Sequence, residues 1–154
     1  MNAADNQSTN SLLARMLSFE IGLGVLALVL AWGFGLSLVA AFGANWTQSF
    51  VLGVLATAPM LMLLFGLESS RFEWVVTLRR FVEEKLVPLF AGVGPGGTLL
   101  VALSAGIFEE LLFRAVIQQG LSDWLGLWPG LLLASLLFGL AHAMTWSYLV
   151  LATL

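Results

Sequence analysis

The chain has 154 residues, of which 60% are hydrophobic and 10% are charged, and its formal net charge is −3. Soluble domains carry roughly 25% charged residues, so this composition excludes a soluble globular domain, and its hydrophobicity excludes a disordered chain. Six basic residues against nine acidic ones leave no basic surface for nucleic acid. Cysteine is absent, which excludes disulfides and a thiolate nucleophile. The composition predicts an all-α fold, a polytopic bundle of transmembrane helices.

The N-terminal half predicts a polar tail and two spans. Residues 1–19 are largely polar and predict a solvated tail. The uncharged run 21–42 extends about 33 Å as a helix, which is enough to cross a hydrocarbon core of about 30 Å. A short loop, 43–49, places Trp46 at the membrane interface. The run 50–67 then predicts a second span, kinked at Pro59.

The one strongly charged segment, 68–85, predicts a surface helix. Ser70 followed three residues later by Glu73 is typical of a capping box at a helix start. Apolar side chains recur on one side of the segment and charged ones elsewhere, so we expect an amphipathic helix lying on the membrane surface. The alternative is a solvated loop helix. Proline and glycine at 88 and 94–97 then break the chain.

The C-terminal half predicts a third span over 98–120, a short turn over 121–128, a fourth span over 129–143, and the start of a fifth near Trp146. The predicted fold is therefore four full spans plus the start of a fifth, with one interfacial amphipathic helix. Basic residues precede span one and follow span two, which places both groups on one face. The positive-inside rule assigns that face, and the N-terminus, to the cytoplasm.

The candidate catalytic residues are ionisable side chains inside the third span, where burial of a charge in the membrane costs free energy. Glu109 lies about 17 Å along the helix from Thr98, which is near the membrane midplane. Glu110 and Arg114 are four residues apart and can pair on one helix face, which relieves part of their burial cost. Glu109 points about 100° away from Glu110 around the helix, so it needs a partner from another span.

His142, on the antiparallel fourth span, is the expected partner of Glu109. Ser135, Gly139 and Ala143 form a small-residue row that lets helices approach closely, and Phe138 can pack on the imidazole. A carboxylate and an imidazole in one cavity can activate a water as a nucleophile. We therefore expect the two side chains to lie within one water of each other.

Each of these features also has a structural interpretation. The Glu110–Arg114 pair can anchor helices, His142 can be a satisfied buried histidine, and Glu109 can be a proton relay. Their combination in an otherwise charge-free bundle favours a functional site. Two functions besides catalysis stay open: a catalytically inactive membrane protein with an immunity or scaffold role, and a proton-coupled transporter, although no internal repeat is present.

The segment from Glu109 to Arg114, Glu-Glu-Leu-Leu-Phe-Arg, resembles the EExxxR motif of the CPBP family of intramembrane proteases. Phe138 to His142 resembles the FxxxH motif of that family, which is also called the CAAX protease and bacteriocin-processing, or ABI, family and includes the type II CAAX prenyl endopeptidases. The resemblance implies a partial protease core over 98–154, preceded by the tail, 1–19, and by variable spans and the amphipathic helix, 20–97.

What the resemblance implies is an intramembrane glutamic endopeptidase. Glu109 and His142 would activate the attacking water, while Glu110, Arg114 and Phe138 would support them. The substrate would be a membrane-embedded or membrane-tethered peptide, prenylated or not, and the protein a multi-pass component of a bacterial cell membrane, in contact with lipid and not with nucleic acid.

Two further expectations concern completeness and cofactors. The family has a later histidine motif, thought to stabilise the oxyanion, and this sequence has no histidine after His142. We therefore expect a C-terminally truncated chain that does not cleave peptides alone, either a protease fragment or an inactive protein, with no other intramembrane donor for the oxyanion. We expect no cofactor. Zinc on Glu109, Glu110 and His142 is the alternative, disfavoured because the two glutamates diverge on their helix.

Overall fold

The computed structural model describes residues 3–38 and 46–153. Within these ranges the chain is helical and contains no strand. The helices are α1 (Ala3–Phe34), α2 (Trp46–Glu68), α3 (Glu73–Phe90), α4 (Gly94–Leu125), α5 (Leu127–Ala141) and α6 (Trp146–Thr153). Two of them contain wider π-helical stretches, Val82–Leu86 in α3 and Glu110–Gln118 in α4. The predicted all-α class is confirmed.

Two described helices are long and apolar enough to cross a membrane, over Thr9–Phe34 and Phe50–Glu68. The bent pair formed by α3 and α4 counts as a third if it is taken as one span. Helix α5 has 15 residues, about 22 Å, which is shorter than the hydrocarbon core. The described helices therefore support an integral membrane protein with two or three spans by length, fewer than the four predicted.

Helix α1 starts earlier than the predicted first span and runs through the predicted polar tail. It ends at Phe34 because Gly35 adopts a positive φ of 67°, and the N–H of Leu36 donates to the carbonyl of Ala31 at 2.8 Å. This is a Schellman helix end, for which glycine is suited. The predicted continuation over 39–42, and the start of the loop at 43–45, lie outside the described residues.

Helices α1 and α4 run parallel, side by side. Residues in contact along this interface differ in number by 83 or 84: Thr9 with Gly92 just before α4, Leu13 with Gly97, Gly24 with Phe108, and Leu36 with Gly120. The N-terminal part of α1 and the start of α4 therefore lie at the same end of the bundle. This agrees with the two crossings that the basic residues predict between them.

Small side chains on α1 make this interface close. Ala27 and Ala31 are buried against Leu112 and Val116 of α4, and Val116 is only 1% exposed. The alanines let the two backbones approach, so that the larger side chains of α4 fill the space between them. This packing fixes the rotation of α4 about its axis and hence the direction of its polar side chains.

Helix α3 lies across the spans rather than along them, bent by 111° from α4. This is the orientation expected of a helix on the membrane surface. The predicted capping box is wrong: the helix begins at Glu73 without a side-chain cap, and the Oγ of Ser70 instead accepts from the N–H of Phe72 at 3.3 Å. The guanidinium of Arg79 donates to the carbonyls of Leu67, at 3.1 Å, and Glu68, and so ties α3 to the end of α2.

Helices α4 and α5 form an antiparallel hairpin around Gly126, whose φ is 91°. The residue numbers across it add up to 251 or 252 in three contacts: Ser122 with Gly130, Phe113 with Phe138, and Glu109 with His142. Helix α6 then folds back along α5. The middle of α4 thus faces the end of α5 and the body of α6.

Candidate active site

The site is built on the middle of α4 and the end of α5. Glu109 lies 15 residues after the start of α4, at Gly94, and 16 before its end, at Leu125. Helix α5 ends at Ala141. His142 is therefore the first residue after the helix, whereas the sequence predicted it inside the span 129–143. The Nε2 atom of His142 lies 3.5 Å from Oε1 of Glu109, and each side chain is 23% exposed. The predicted proximity of these two side chains is confirmed.

The backbone of α5 fixes the tautomer of His142. Its Nδ1 atom lies 2.9 Å from the carbonyl oxygen of Phe138. Because a carbonyl can only accept, Nδ1 carries the hydrogen and donates it. In the neutral imidazole, Nε2 is then the unprotonated nitrogen, and it is the one that points toward Glu109.

An unprotonated Nε2 and an ionised carboxylate are both acceptors. Two acceptors at 3.5 Å are stable together only if a hydrogen lies between them or if a third group donates to both. A water in the neighbouring cavity can donate one hydrogen to each. The geometry of Glu109 and His142 is therefore that of a pair able to hold either a proton or a polarised water.

Aromatic packing holds the imidazole in this orientation. The ring of Phe138 lies 4.2 Å from that of His142, centroid to centroid, at an angle of 34°. On its other side, Phe138 meets Phe113 of α4 edge to face at 5.0 Å, a favourable aromatic geometry. The predicted packing of Phe138 on the histidine is confirmed, and Phe113 extends it to α4.

Glu110 and Arg114 pair as predicted but are not buried. Their Oε1 and Nε atoms are 3.8 Å apart, and the side chains are 66% and 65% exposed, respectively. The protein itself covers only about a third of either side chain, so any further burial of this pair would have to come from the membrane. The pair begins the π-helical stretch Glu110–Gln118 and faces open space beside the site.

The donor set does not fit a zinc ion. Glu109 turns inward to His142, whereas Glu110 turns outward to Arg114, so the two carboxylates diverge. Across residues 3–38 and 46–153, no group of three histidine, cysteine, aspartate or glutamate side chains is arranged to hold a metal ion.

A cavity of about 530 Å³ opens beside the pair. Its wall includes Glu109, His142, Glu110 and Arg114, and also Tyr148 of α6. The tyrosine ring lies 6.3 Å from the imidazole, between centroids, and carries a hydroxyl donor. Tyr148 therefore supplies a hydroxyl group beside the pair that the sequence analysis did not count among the possible donors. Sequence reasoning missed Tyr148 because α6 returns to the site only through the hairpin with α5.

Glu20 of α1 was also missed. Its residue surface is 8% exposed, and its Oε2 is buried without a hydrogen-bond partner among residues 3–38 and 46–153. The predicted span began at residue 21 and so left this glutamate outside. A signal was present, since Glu20 is in helical phase with the small residues Gly24, Ala27 and Ala31, which are all buried.

Residues 93–154 match the model of the family described as Rce1-like, type II CAAX prenyl endopeptidase Rce1-like. The matched segment covers α4 to α6 and holds all five side chains singled out from the motifs. The chain has no significant match to a curated protein, and none to a solved structure.

Proposed function

Because residues 93–154 match the Rce1-like, type II CAAX prenyl endopeptidase family model, we propose that the protein is an intramembrane endopeptidase whose Glu109 and His142 activate a water. The observation that carries the proposal is the 3.5 Å contact between these side chains, with Nδ1 of the imidazole held by a backbone carbonyl. The contact borders a cavity of a size usual for ligand sites.

The proposed reaction begins with a water hydrogen-bonded to both side chains. Glu109 takes one proton as the water oxygen attacks the carbonyl carbon of the scissile peptide, while Nε2 of His142 accepts a hydrogen bond from the remaining O–H and orients it. The carbonyl π electrons move to its oxygen, which becomes the oxyanion. When the C–N bond breaks, Glu109 returns its proton to the leaving nitrogen.

The developing oxyanion needs a donor aimed at it. Tyr148 is our candidate, because its side chain lines the same cavity and its ring is 6.3 Å from the imidazole. Phe138 supports the reaction by holding the imidazole plane. Glu110 and Arg114 shape the wall of the cavity beside the reacting groups rather than taking part in proton transfer.

The proposed substrate is a peptide tethered to or embedded in the membrane. Glu109 lies halfway along α4, and Met60 of the apolar helix α2 contributes to the cavity wall. A peptide that carries a lipid can place its chain beside such an apolar helix while its backbone reaches the carboxylate. Prenylated and unprenylated peptides are both compatible with this geometry.

The test is cleavage of a lipid-tethered peptide by the protein reconstituted in liposomes. We assay the 154-residue chain and a version extended by any coding sequence that follows it, each with a prenylated and an unprenylated peptide, with and without a chelator. Wild type is compared with Glu109→Gln, which keeps the side-chain shape and removes the base. The matched control is Glu83→Gln, at an exposed position of α3.

Loss of a general base lowers the rate by about 10²–10⁴-fold, so cleavage should fall at least a hundredfold in Glu109→Gln and stay unchanged in Glu83→Gln. Equal cleavage by wild type and Glu109→Gln would refute the proposed mechanism. Cleavage that stops with the chelator and returns with zinc would replace the metal-free mechanism by a metal-dependent one.

A further inference from the structure

The π-helical stretch Glu110–Gln118 changes which side chains of α4 face the cavity. Its backbone hydrogen bonds join residues five apart, whereas those of an α-helix join residues four apart. In a regular α-helix, Gln118 would lie about 180° around the axis from Glu109. Yet Glu109, Arg114 and Gln118 all line the same cavity. The wider turns therefore bring two further polar side chains onto the face that carries Glu109.

The opposite face of the same stretch packs against α1. Leu112 and Val116 are buried in a core that includes the two alanines of α1. Arg114 and Gln118 each follow one of these buried residues by two positions, and both line the cavity. Packing therefore accounts for the apolar face of the stretch, and it leaves the polar face available for a ligand.

The guanidinium of Arg114 has donors to offer such a ligand. Its Nε lies 3.8 Å from Oε1 of Glu110, which is beyond hydrogen-bond distance. Within residues 3–38 and 46–153, none of its five N–H groups donates to an acceptor. It is also the one lysine or arginine among the described residues that line the cavity. Because a guanidinium matches the two oxygens of a carboxylate, a carboxylate is the group that this side chain fits.

We propose that Arg114, with the side-chain amide of Gln118 beside it, is a specificity determinant that binds a carboxylate of the peptide substrate. The inference rests on the proposed function for the ligand being a peptide, but it is tested by binding rather than by cleavage. A C-terminal carboxylate and an acidic side chain both supply the required group. Glu110 competes for the same guanidinium and so limits the affinity of the site.

The spacing along α4 sets where the carboxylate lies relative to the reacting groups. Arg114 follows Glu109 by one turn of the π-helical stretch, which is roughly 5 Å along the axis. An extended peptide advances about 3.3 Å per residue, so the carboxylate belongs to a residue only a few positions from the scissile bond. The row is acidic at Glu109 and carries donors at Arg114 and Gln118. A carboxylate is therefore held at one end of the row, which fixes the direction of the peptide along α4.

The test is peptide binding by the full chain in nanodiscs of uncharged phosphatidylcholine. All proteins carry Glu109→Gln, so that no peptide is turned over. Fluorescence anisotropy gives the Kd of three labelled, unprenylated peptides of one sequence, and empty nanodiscs give the background. The first peptide ends in a free carboxylate, and the second ends in an amide. The third is the amide with one aspartate in place of an asparagine near its end.

A carboxylate should tighten binding by about tenfold to a hundredfold relative to the neutral amide, as expected for a hydrogen bond to a charged group. Arg114→Gln should remove this preference and leave the Kd of the neutral amide unchanged. Arg80→Gln, at an exposed arginine of α3, is the matched control and should change neither Kd. Glu110→Gln should tighten binding of the carboxylate peptide by up to about fivefold, because it removes the competitor.

If Arg114→Gln does not accumulate, Arg114→Lys keeps the charge without the planar donor pair and should lose part of the preference. The gain in Glu110→Gln is a second test, because a folding defect does not strengthen binding. A preference for the free C-terminus alone assigns the site to the chain end, and a preference for the aspartate peptide alone assigns it to an acidic side chain. Either result supports the inference.

The absence of any preference for a carboxylate would overturn the inference, whatever the peptidase assay shows. A preference that survives in folded Arg114→Gln would overturn it as well. A preference that Arg114→Gln removes, in a protein whose Glu109 form cleaves no peptide, would support the carboxylate site while the proposed function fails.

Discussion

Helix α6 packs closely against α5 at Gly139, so substitution of this glycine tests the assembly of the cavity. A Cβ at this position would overlap the side-chain hydroxyl of Thr153, and it would lie 3.0 Å from Cβ of Thr153 and 3.1 Å from the carbonyl oxygen of Leu149. Two of these contacts involve atoms that cannot swing away. In Gly139→Ala, we expect α6 to be displaced from α5 and Tyr148 to move with it.

The expected cost is that of overpacking a tight interface, about 1–3 kcal/mol. For a chain of this size, each kcal/mol lowers the melting temperature by about 2–4 °C, so we expect a fall of roughly 2–12 °C. The matched control is Gly106→Ala in α4, where a Cβ meets nothing within 4 Å. Alanine is the better helix former, so this control should melt at or above the wild-type temperature.

The assay is helical circular dichroism of the purified chain in detergent during heating. A second variant, Gly139→Ala with Thr153→Ala, removes the hydroxyl that comes closest and should recover part of the loss. The NMR signals of the His142 imidazole report the same displacement independently, since Tyr148 packs near its ring. If Gly139→Ala melts like wild type with unchanged imidazole signals, α6 does not pack on Gly139 and the described cavity wall is wrong.

Three further predictions test the helix register, the exposed ion pair and the hydroxyl donor. The chain has no cysteine, so an engineered pair can be tested without background. Gly24→Cys with Phe108→Cys should form an intramolecular disulfide under mild oxidation, because a Cβ at Gly24 lies 3.4 Å from Cγ of Phe108. The control pair, Gly24→Cys with Ile107→Cys, should form none, because Ile107 is 62% exposed. Arg114→Ala should lower the unfolding free energy by about 0–1 kcal/mol, as for an exposed pair, measured by thermal melting; a large loss of folded yield would show that the pair is buried in the membrane. Tyr148→Phe should lower kcat of peptide cleavage by about 10²–10³-fold with little change in KM if its hydroxyl stabilises the oxyanion, and an unaffected kcat would exclude that role.

The central contact could be predicted from the sequence because its determinants are local. Glu109 and His142 belong to consecutive helices joined by a short turn, and short turns make antiparallel neighbours. Their distances from that turn match, so the hairpin brings them together once it closes. The small residue Gly139 and the aromatic Phe138 are likewise within one turn of His142, where helical periodicity predicts their positions.

The exposure of Glu110 and Arg114 could not be predicted in the same way. Their spacing predicts the pair, but whether it is covered depends on which helices pack on that face of α4. The π-helical stretch Glu110–Gln118 has no sequence signal comparable to a proline or a glycine cap. Such a stretch changes the angular position of every residue after it. The helix face that an α-helical period assigns to a residue therefore becomes less accurate toward the end of the stretch.

The ends of the helices could not be predicted for a related reason. Hydropathy measures how apolar a segment is, whereas helix ends depend on backbone conformations such as the positive φ of Gly35 and Gly126. Helix α1 ends at Phe34, directly before Gly35. Helix α5 is apolar throughout but contains 15 residues, because turns bound it on both sides.

Glu20 shows what a motif-based view of this chain leaves out. Residues 93–154 carry the family match, and both motifs lie within them, yet a buried carboxyl group, that of Glu20, lies on the first helix. Helix α1 can supply it because its stripe of Gly24, Ala27 and Ala31 brings its backbone against α4. The same stripe therefore both closes the interface with α4 and encloses the carboxyl group. A larger residue at Ala27, which is 0% exposed, should separate the two helices and lower the melting temperature, because overpacking a tight interface costs about 1–3 kcal/mol.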